Sequence, residues 1–223
     1  MERSWYSICK QATALRKNVL RADLCVFIDA EKTFSNLDYL NSTIKSFLTA
    51  GIINGLDIIG ILSNDVNVGL RAFQAAKTLK MDISVIPGQT YICAQKEELY
   101  VYRLTQQIPK GLTLDKVCEF AHKNNGFVMA TNVSKSAADR LNRLQGSTYA
   151  PDAVEVFNAK IGGYRDLDID YPRFINSGAT SANDLESKNV FTLVPRKQAV
   201  ELKLIGEDEG VDYTPKYLLP KGQ

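Results

Sequence analysis

The chain has 223 residues, 45% of them hydrophobic, and a formal charge of +2 from 27 Lys and Arg against 25 Asp and Glu. That length and apolar content can bury one full core, and the even charge balance excludes a nucleic-acid or membrane surface defined by net charge alone. The four cysteines, Cys9, Cys25, Cys93 and Cys118, are far apart without a CxxC pair, the N-terminus MERSWYSICK is charged, and no run of about 18 apolar residues occurs, so the reading is a soluble, cytoplasmic protein, a viral origin included, without a zinc or thioredoxin-like site.

In chain order, Ile8, Ala12, Leu15 and Val19 share a helical spacing, and residues 1–22 read as a basic N-terminal helix or arm. Leu24 to Ile28 is the first strand, followed by a loop from Asp29 to Ser35. A helix over about Asn36 to Thr49 carries Leu37, Leu40, Ile44 and Leu48 on one face, with Gly51 just past its end. The apolar run Ile58 to Leu62 has the character of a buried parallel strand, and Ser63-Asn64-Asp65 then caps a helix that continues to about Lys80. Ile83 to Ile86 is a third strand ended by Pro87-Gly88, and Tyr91 to Ala94 and Leu99 to Arg103 are short strands around a polar turn. Helices follow over Thr113 to Asn124 and Ser134 to Leu144, with a strand at Phe127 to Ala130 between them. Ala153 to Phe157, Phe174-Ile175 and Val190 to Val194 are the remaining strands, and Gln198 to Leu204 is a short helix. The span from Gly206 to Gln223 has no helical period and two prolines, and reads as an extended tail.

Strands alternating with helices at this rhythm predict a parallel sheet, and six or seven such units in about 200 residues favour a small closed barrel over an open sheet. In such barrels, sites are built where the strands end. The residues there are Asp29, Glu31, Ser63 to Asp65, Gln89-Thr90, Thr131-Asn132, Asn158 and Asn176 to Asn183, a rim of neutral hydroxyls and amides. The single histidine, His122, falls inside a helix and reads as a surface or helix-end residue. Asp65 reads as a helix cap, Glu155 as a satisfied strand residue and Cys25 as a small hydrophobe. Lys160, Arg165 and Arg173 fall near the presumed rim, where a pair of arginines could clamp a phosphate. Lys135, Arg140 and Arg143 on one helix form a weak basic stripe.

The ordered segments resemble the polymerase-and-histidinol-phosphatase (PHP) superfamily. Asp23-Leu24-Cys25-Val26-Phe27 resembles that family's D-L-H-x-H, Phe34-Ser35-Asn36 its S-D-G, and Ile61 to Asp65 its I-T-D-H-D. Ile86 to Thr90 is similar to I-P-G-x-E, Ala121 to Gly126 with Ala130-Thr131-Asn132 to the A-H-x-x-G-G and A-H-P segments, Asp152 to Asn158 to D-A-I-E-V-Y-N, and Ala179 to Asn183 to G-S-D-A-H. The resemblance covers about Asp23 to Val194. It implies a distorted TIM-like (β/α)7-type barrel over residues 23–205, with the N-terminal helix and C-terminal tail as appendages.

The resemblance also implies a trinuclear metal site with ligands at Cys25, Phe27, Asn36, Asn64, Thr90, Thr131, Ser181 and Asn183. None of these is His, Asp or Glu. The expectation is therefore a catalytically inactive PHP-like domain, without metal or cofactor, that acts as a binding or assembly subunit, with nucleic-acid machinery as a weakly supported setting. The segment Tyr213 to Leu219, YTPKYLL, is a candidate contact for a protein partner. The alternative is a residual phosphoesterase or phosphate-binding enzyme using Asp65, Glu155, Asn158, Lys160, Arg165 and Arg173 on the rim.

Overall fold

The computed structural model describes residues 18–33, 36–162, 164–188 and 190–205. The tail with its Tyr213 to Leu219 segment, and most of the expected N-terminal helix, lie outside the described residues. The end of that helix is corrected: Val19, Leu20 and Arg21 open the first strand, β1 (Val19–Phe27). They do so because β1 is paired on both sides there, with Val19 to Ala22 against β8 (Thr192–Pro195) and Ala22 against Ile58 of β2 (Ile58–Ser63). Local helical spacing yields to that two-sided ladder.

Eight strands form one sheet in the order β7-β6-β5-β4-β3-β2-β1-β8. The others are β3 (Ser84–Ile92), β4 (Glu98–Tyr102), β5 (Phe127–Thr131), β6 (Ala153–Asn158) and β7 (Arg173–Asn176). The sheet is mixed: β4 runs antiparallel to β3 and β5, and β8 runs antiparallel to β1. It curls into a nearly closed barrel. At the seam, Phe27 N donates to Ala179 O at 2.8 Å, Leu24 N to Asn176 Oδ1 at 3.0 Å, and Ile175 N to Thr192 Oγ1 at 2.8 Å while that hydroxyl donates back to Ile175 O at 2.9 Å.

The helices are α1 (Ala30–Thr33), α2 (Leu37–Ile53), α3 (Val66–Thr78), α4 (Leu114–Lys123), α5 (Lys135–Leu144), α6 (Ala182–Lys188) and α7 (Arg196–Glu201). Among the described residues none is long and apolar enough to cross a membrane. Three buried clusters organise the interior. Leu20, Ala22, Leu24, Ile58, Leu62, Ile86, Tyr102, Phe127, Met129 and Phe174 fill the barrel. Leu40, Ile44, Phe47, Ile59, Ile61, Val68 and Val85 pack α2 and α3 on the sheet, and Leu99, Val101, Val117, Val128, Leu141 and Val154 pack α4 and α5. Alternation explains the split: on β2, Ile58 and Leu62 point inward while Ile59 and Ile61 point out.

Several boundaries differ from the sequence reading. Gly51 is interior to α2, close against Ile83, and the left-handed turn belongs to Gly55 (φ 67°). Pro87-Gly88 does not end β3. Pro87 O accepts from Arg103 N at 2.7 Å, so its missing N–H falls where the β4 ladder stops, and the opposite edge still pairs with β2. Short helix α1 stands where loop was expected, and α6 follows the small polar run that begins at Asn176.

Candidate functional site at the barrel mouth

The candidate site is a buried polar cluster where β1, β5, β6 and β7 end. It starts from a break in β1. The β1–β2 register shifts between Asp23 and Val26, a bulge that frees the backbone of Leu24 and Cys25 from the ladder. Buried amides need partners, and side chains supply them. Cys25 N donates to Asp23 Oδ1 at 3.1 Å, Leu24 N goes to Asn176 as above, and Leu24 O accepts from Tyr102 Oη at 2.6 Å.

Glu155 follows Ala153 on the inward face of β6 and is 3% exposed. Its Oε2 accepts from the Thr131 hydroxyl. Its Oε1 accepts from Asn176 Nδ2 at 2.8 Å and Asn158 Nδ2 at 3.2 Å. Asn158 Nδ2 also reaches Cys25 Sγ at 3.5 Å, while its Oδ1 accepts from Lys160 N at 3.0 Å. Gly178 (φ 62°) lets the loop after β7 close over this group, because a Cβ there would sit 2.1 Å from Asn158 Oδ1. Asp23 is wholly buried; its Oδ1 also accepts from Ser177 N at 3.2 Å, and its Oδ2 has no hydrogen-bond partner among the described residues.

Burial dominates the electrostatics. It pushes the Asp23 carboxyl up to about 6, against the pull of Ser177 and the Cys25 N–H and reinforced by Glu155. Burial likewise raises Glu155, opposed by Thr131, Asn176, Asn158 and Arg165. The Cys25 thiol is raised by burial and by the Glu155 charge, which keeps it protonated. The Tyr100 hydroxyl, in reach of Cys25 and Thr131, is raised chiefly by burial. The cluster is therefore a set of neutral donors arranged around two buried carboxyl groups, both pushed by burial toward the acid form.

The expected site residues separate into two groups. The fold brings Cys25, Thr131, Glu155 and Asn158 together here, and Phe27 packs partly buried against the inner cluster. Arg165 stands at the edge of the cluster, donating from its side chain to Asn132 Oδ1 and from its N–H to Val156 O. Lys160 is exposed beside it.

Others serve as helix starts. Asn36 caps α2, accepting from Asp38 N and Tyr39 N at 3.0 and 3.1 Å. Asp65 caps α3, accepting from Asn67 N at 2.8 Å as expected. Ser181 accepts from Asp184 N at 3.1 Å at the start of α6, and Asn183 is exposed on that helix. Asn64 is exposed and accepts from the Ser63 hydroxyl at 3.3 Å, and Thr90 is paired with Tyr100 within β3 and β4. Arg173 opens β7, at the end away from the mouth, and donates to Leu167 O and Ile169 O.

In the basic stripe, Arg140 is held by Glu97 at 2.5 Å. His122 lies in the last turn of α4, as the helix-end reading expected, and is half-buried; its Nδ1 meets Thr148 O at 2.8 Å and its Nε2 meets Asp152 Oδ2 at 3.0 Å. Sequence reasoning did not single out Asp23, Tyr100 or Tyr102 as site residues. The available signal was Asp23 itself, a carboxylate opening an otherwise apolar strand. Comparison with protein-family models and with curated proteins finds no match to this chain.

Proposed function

We propose that this chain is a PHP-like, TIM-like barrel of residues 23–205 that has become a binding or assembly subunit rather than a hydrolase. The observation that carries the reading is the engagement of the carboxylate at the centre of the mouth: Glu155 is held by Thr131, Asn158 and Asn176. A divalent ion needs several charged or strongly basic ligands. At the positions where the resemblance would put ligands stand a protonated thiol (Cys25), a phenyl ring (Phe27), hydroxyls and amides, and that donor set does not fit such an ion. Among the described residues, no three His, Cys, Asp or Glu side chains come together as a metal site.

The full chain, purified in the presence of manganese, is expected to carry no stoichiometric divalent metal by elemental analysis and to leave an activated phosphodiester uncleaved. Affinity purification from the native source is expected to retrieve a stoichiometric protein partner. Tight metal at the mouth or metal-dependent turnover abolished by Glu155→Gln would establish the phosphoesterase reading in its place.

A further inference from the structure

Strand β3 has an edge that its neighbours leave open. Ser84 to Pro87 pair with β2, whereas the β4 ladder begins only at Gly88. Ser84 N donates to Asp57 O at 2.9 Å, next to the start of β2. By alternation Ile86 also faces β2, while Val85 turns its N–H and C=O the other way. On that side the last bond is Arg103 N to Pro87 O at 2.7 Å, and Arg103 (φ 66°) then carries the chain off. Among the described residues the Val85 N–H and C=O have no partner, although Val85 is 5% exposed. Buried backbone groups left so form an open strand edge.

That edge is one side of a groove of about 220 Å³ at the end of the barrel where β2 and β3 begin. Leu70 and Phe73 of α3 form its outer wall, and Leu204, Ile205 and Arg103 lie across from them. Ile205 is the last described residue, so the chain leaves the described fold inside this groove, and residues 206–223 continue from there.

The continuing sequence suits the groove in two ways. Gly210-Val211-Asp212-Tyr213-Thr214 alternates apolar and polar residues, the pattern of a half-covered strand. Glu207, Asp208, Glu209 and Asp212 make the same stretch acidic. The groove's cation, Arg103, donates to a carbonyl, Lys203 O, and has no acidic partner among the described residues. Residues 206–210 reach about 17 Å when extended, enough to turn and come alongside Val85.

We propose that Gly210 to Thr214 of this same chain adds a short strand to the open edge of β3 and fills the groove. Val211 pairs with Val85. Paired residues share a face of the sheet, and Val85 packs with Val68 and Ala72 under α3, so Val211 and Tyr213 cover Leu70 and Phe73 while the acidic residues pass Arg103. This is strand addition within one chain. It does not touch the mouth, and it stands or falls independently of the assembly reading.

Hydrogen exchange on the full chain, read amide by amide by NMR, tests it, with Ile86 as the reference because its amide faces β2. The Val85 amide is expected to be protected in the wild type. It is expected to exchange at least about tenfold faster when Val211→Pro and Tyr213→Pro are combined, since proline cannot donate to Val85 O, with Ile86 unchanged. Phe73→Glu, on the exposed wall, is expected to release Val85 in the same way by setting a charge against an acidic, apolar strand. Protection is expected to survive about a tenfold dilution. A wild-type Val85 amide as fast as one in open chain would leave the edge free for another protein's strand. Protection lost on dilution would assign the groove to a second copy's tail. Protection unchanged by the two prolines would mean the groove is sealed without the tail, and equal acceleration of Ile86 would mean general loosening. Each of these four results would overturn the proposal. If Phe73→Glu fails to fold, the proline pair decides alone.

Discussion

At the residue scale, the mouth cluster makes two carboxylates behave differently from ordinary surface acids. Asp23 is raised to about 6 by burial, so the folded state holds a proton that the unfolded chain has released above about pH 4. A raised carboxyl makes folding most favourable at low pH, and that contribution is lost as pH rises from about 4 through 6. It amounts to about 3 kcal/mol. Ion-paired acids such as Glu119, lowered to about 2 by Lys116 and Lys123, act in the opposite sense, so the comparison must be made against a variant. Urea midpoints of wild type minus Asp23→Asn are expected to fall between pH 4 and 7; a difference that stays flat would show that Asp23 is ionised in the fold. Glu155→Ala tests the other acid. It leaves the side chains of Thr131, Asn158 and Asn176 without their shared acceptor, and a loss of about 3 kcal/mol is expected in the same urea measurement.

At the element scale, two contacts fix how neighbouring elements sit. The first is the approach of β1 to β2. A Cβ on Gly60 would lie 2.5 Å from Leu24 O and 2.8 Å from Leu24 Cα, against backbone that cannot move aside. Gly60→Ala is expected to cost about 3 kcal/mol by overpacking, read as a lowered thermal midpoint. The second is the clasp of α4 on the loop before β6. Both His122 ring nitrogens face acceptors, Thr148 O and Asp152 Oδ2, an arrangement that only the doubly protonated ring satisfies. The Asp152 carboxylate accordingly raises the His122 pKa above its ordinary 6.5, against half-burial. A raised histidine stabilises the fold fully below about pH 6.5, and the gain disappears as pH climbs through the folded value. NMR titration of the single imidazole is expected to give a midpoint above 6.5, and one at or below it would refute the clasp.

At the scale of the whole molecule, the barrel closes by a different chemistry at its seam than along its wall. Seven strand junctions are hydrogen-bonded ladders, two of them interrupted by a register shift, but β7 meets β1 and β8 chiefly through Asn176, the Ala179 carbonyl and the Thr192 hydroxyl. Thr192→Val keeps the shape and removes the two bonds to Ile175. Loss of about 1–2 kcal/mol is expected, with faster hydrogen exchange at the Ile175 amide than at the Val154 amide inside the wall. Uniform exchange change along the sheet would show that the seam is no weaker than the ladders.

The sequence determined what short-range patterning can encode: the apolar run Ile58 to Leu62 as a buried strand, the Asp65 cap and the β3–β4 turn between two short strands. It also placed Thr131 and Asn158 at one rim, since strand ends are local properties; Glu155 stood there only in the alternative reading, and Cys25 only through the family resemblance. Tertiary structure decided the rest. Thr113 stands at the start of α4, yet its hydroxyl goes to Asp115 instead of capping the helix backbone. Val19 to Arg21 became strand because two partners were waiting, and Pro87 stayed in β3 because its bare side fell at a ladder's end. Asp23 joined the mouth only through a bulge in β1 and a loop more than 150 residues away. Such pairings join distant parts of the chain, and a local pattern carries no record of which distant backbone groups will be left in need of a partner.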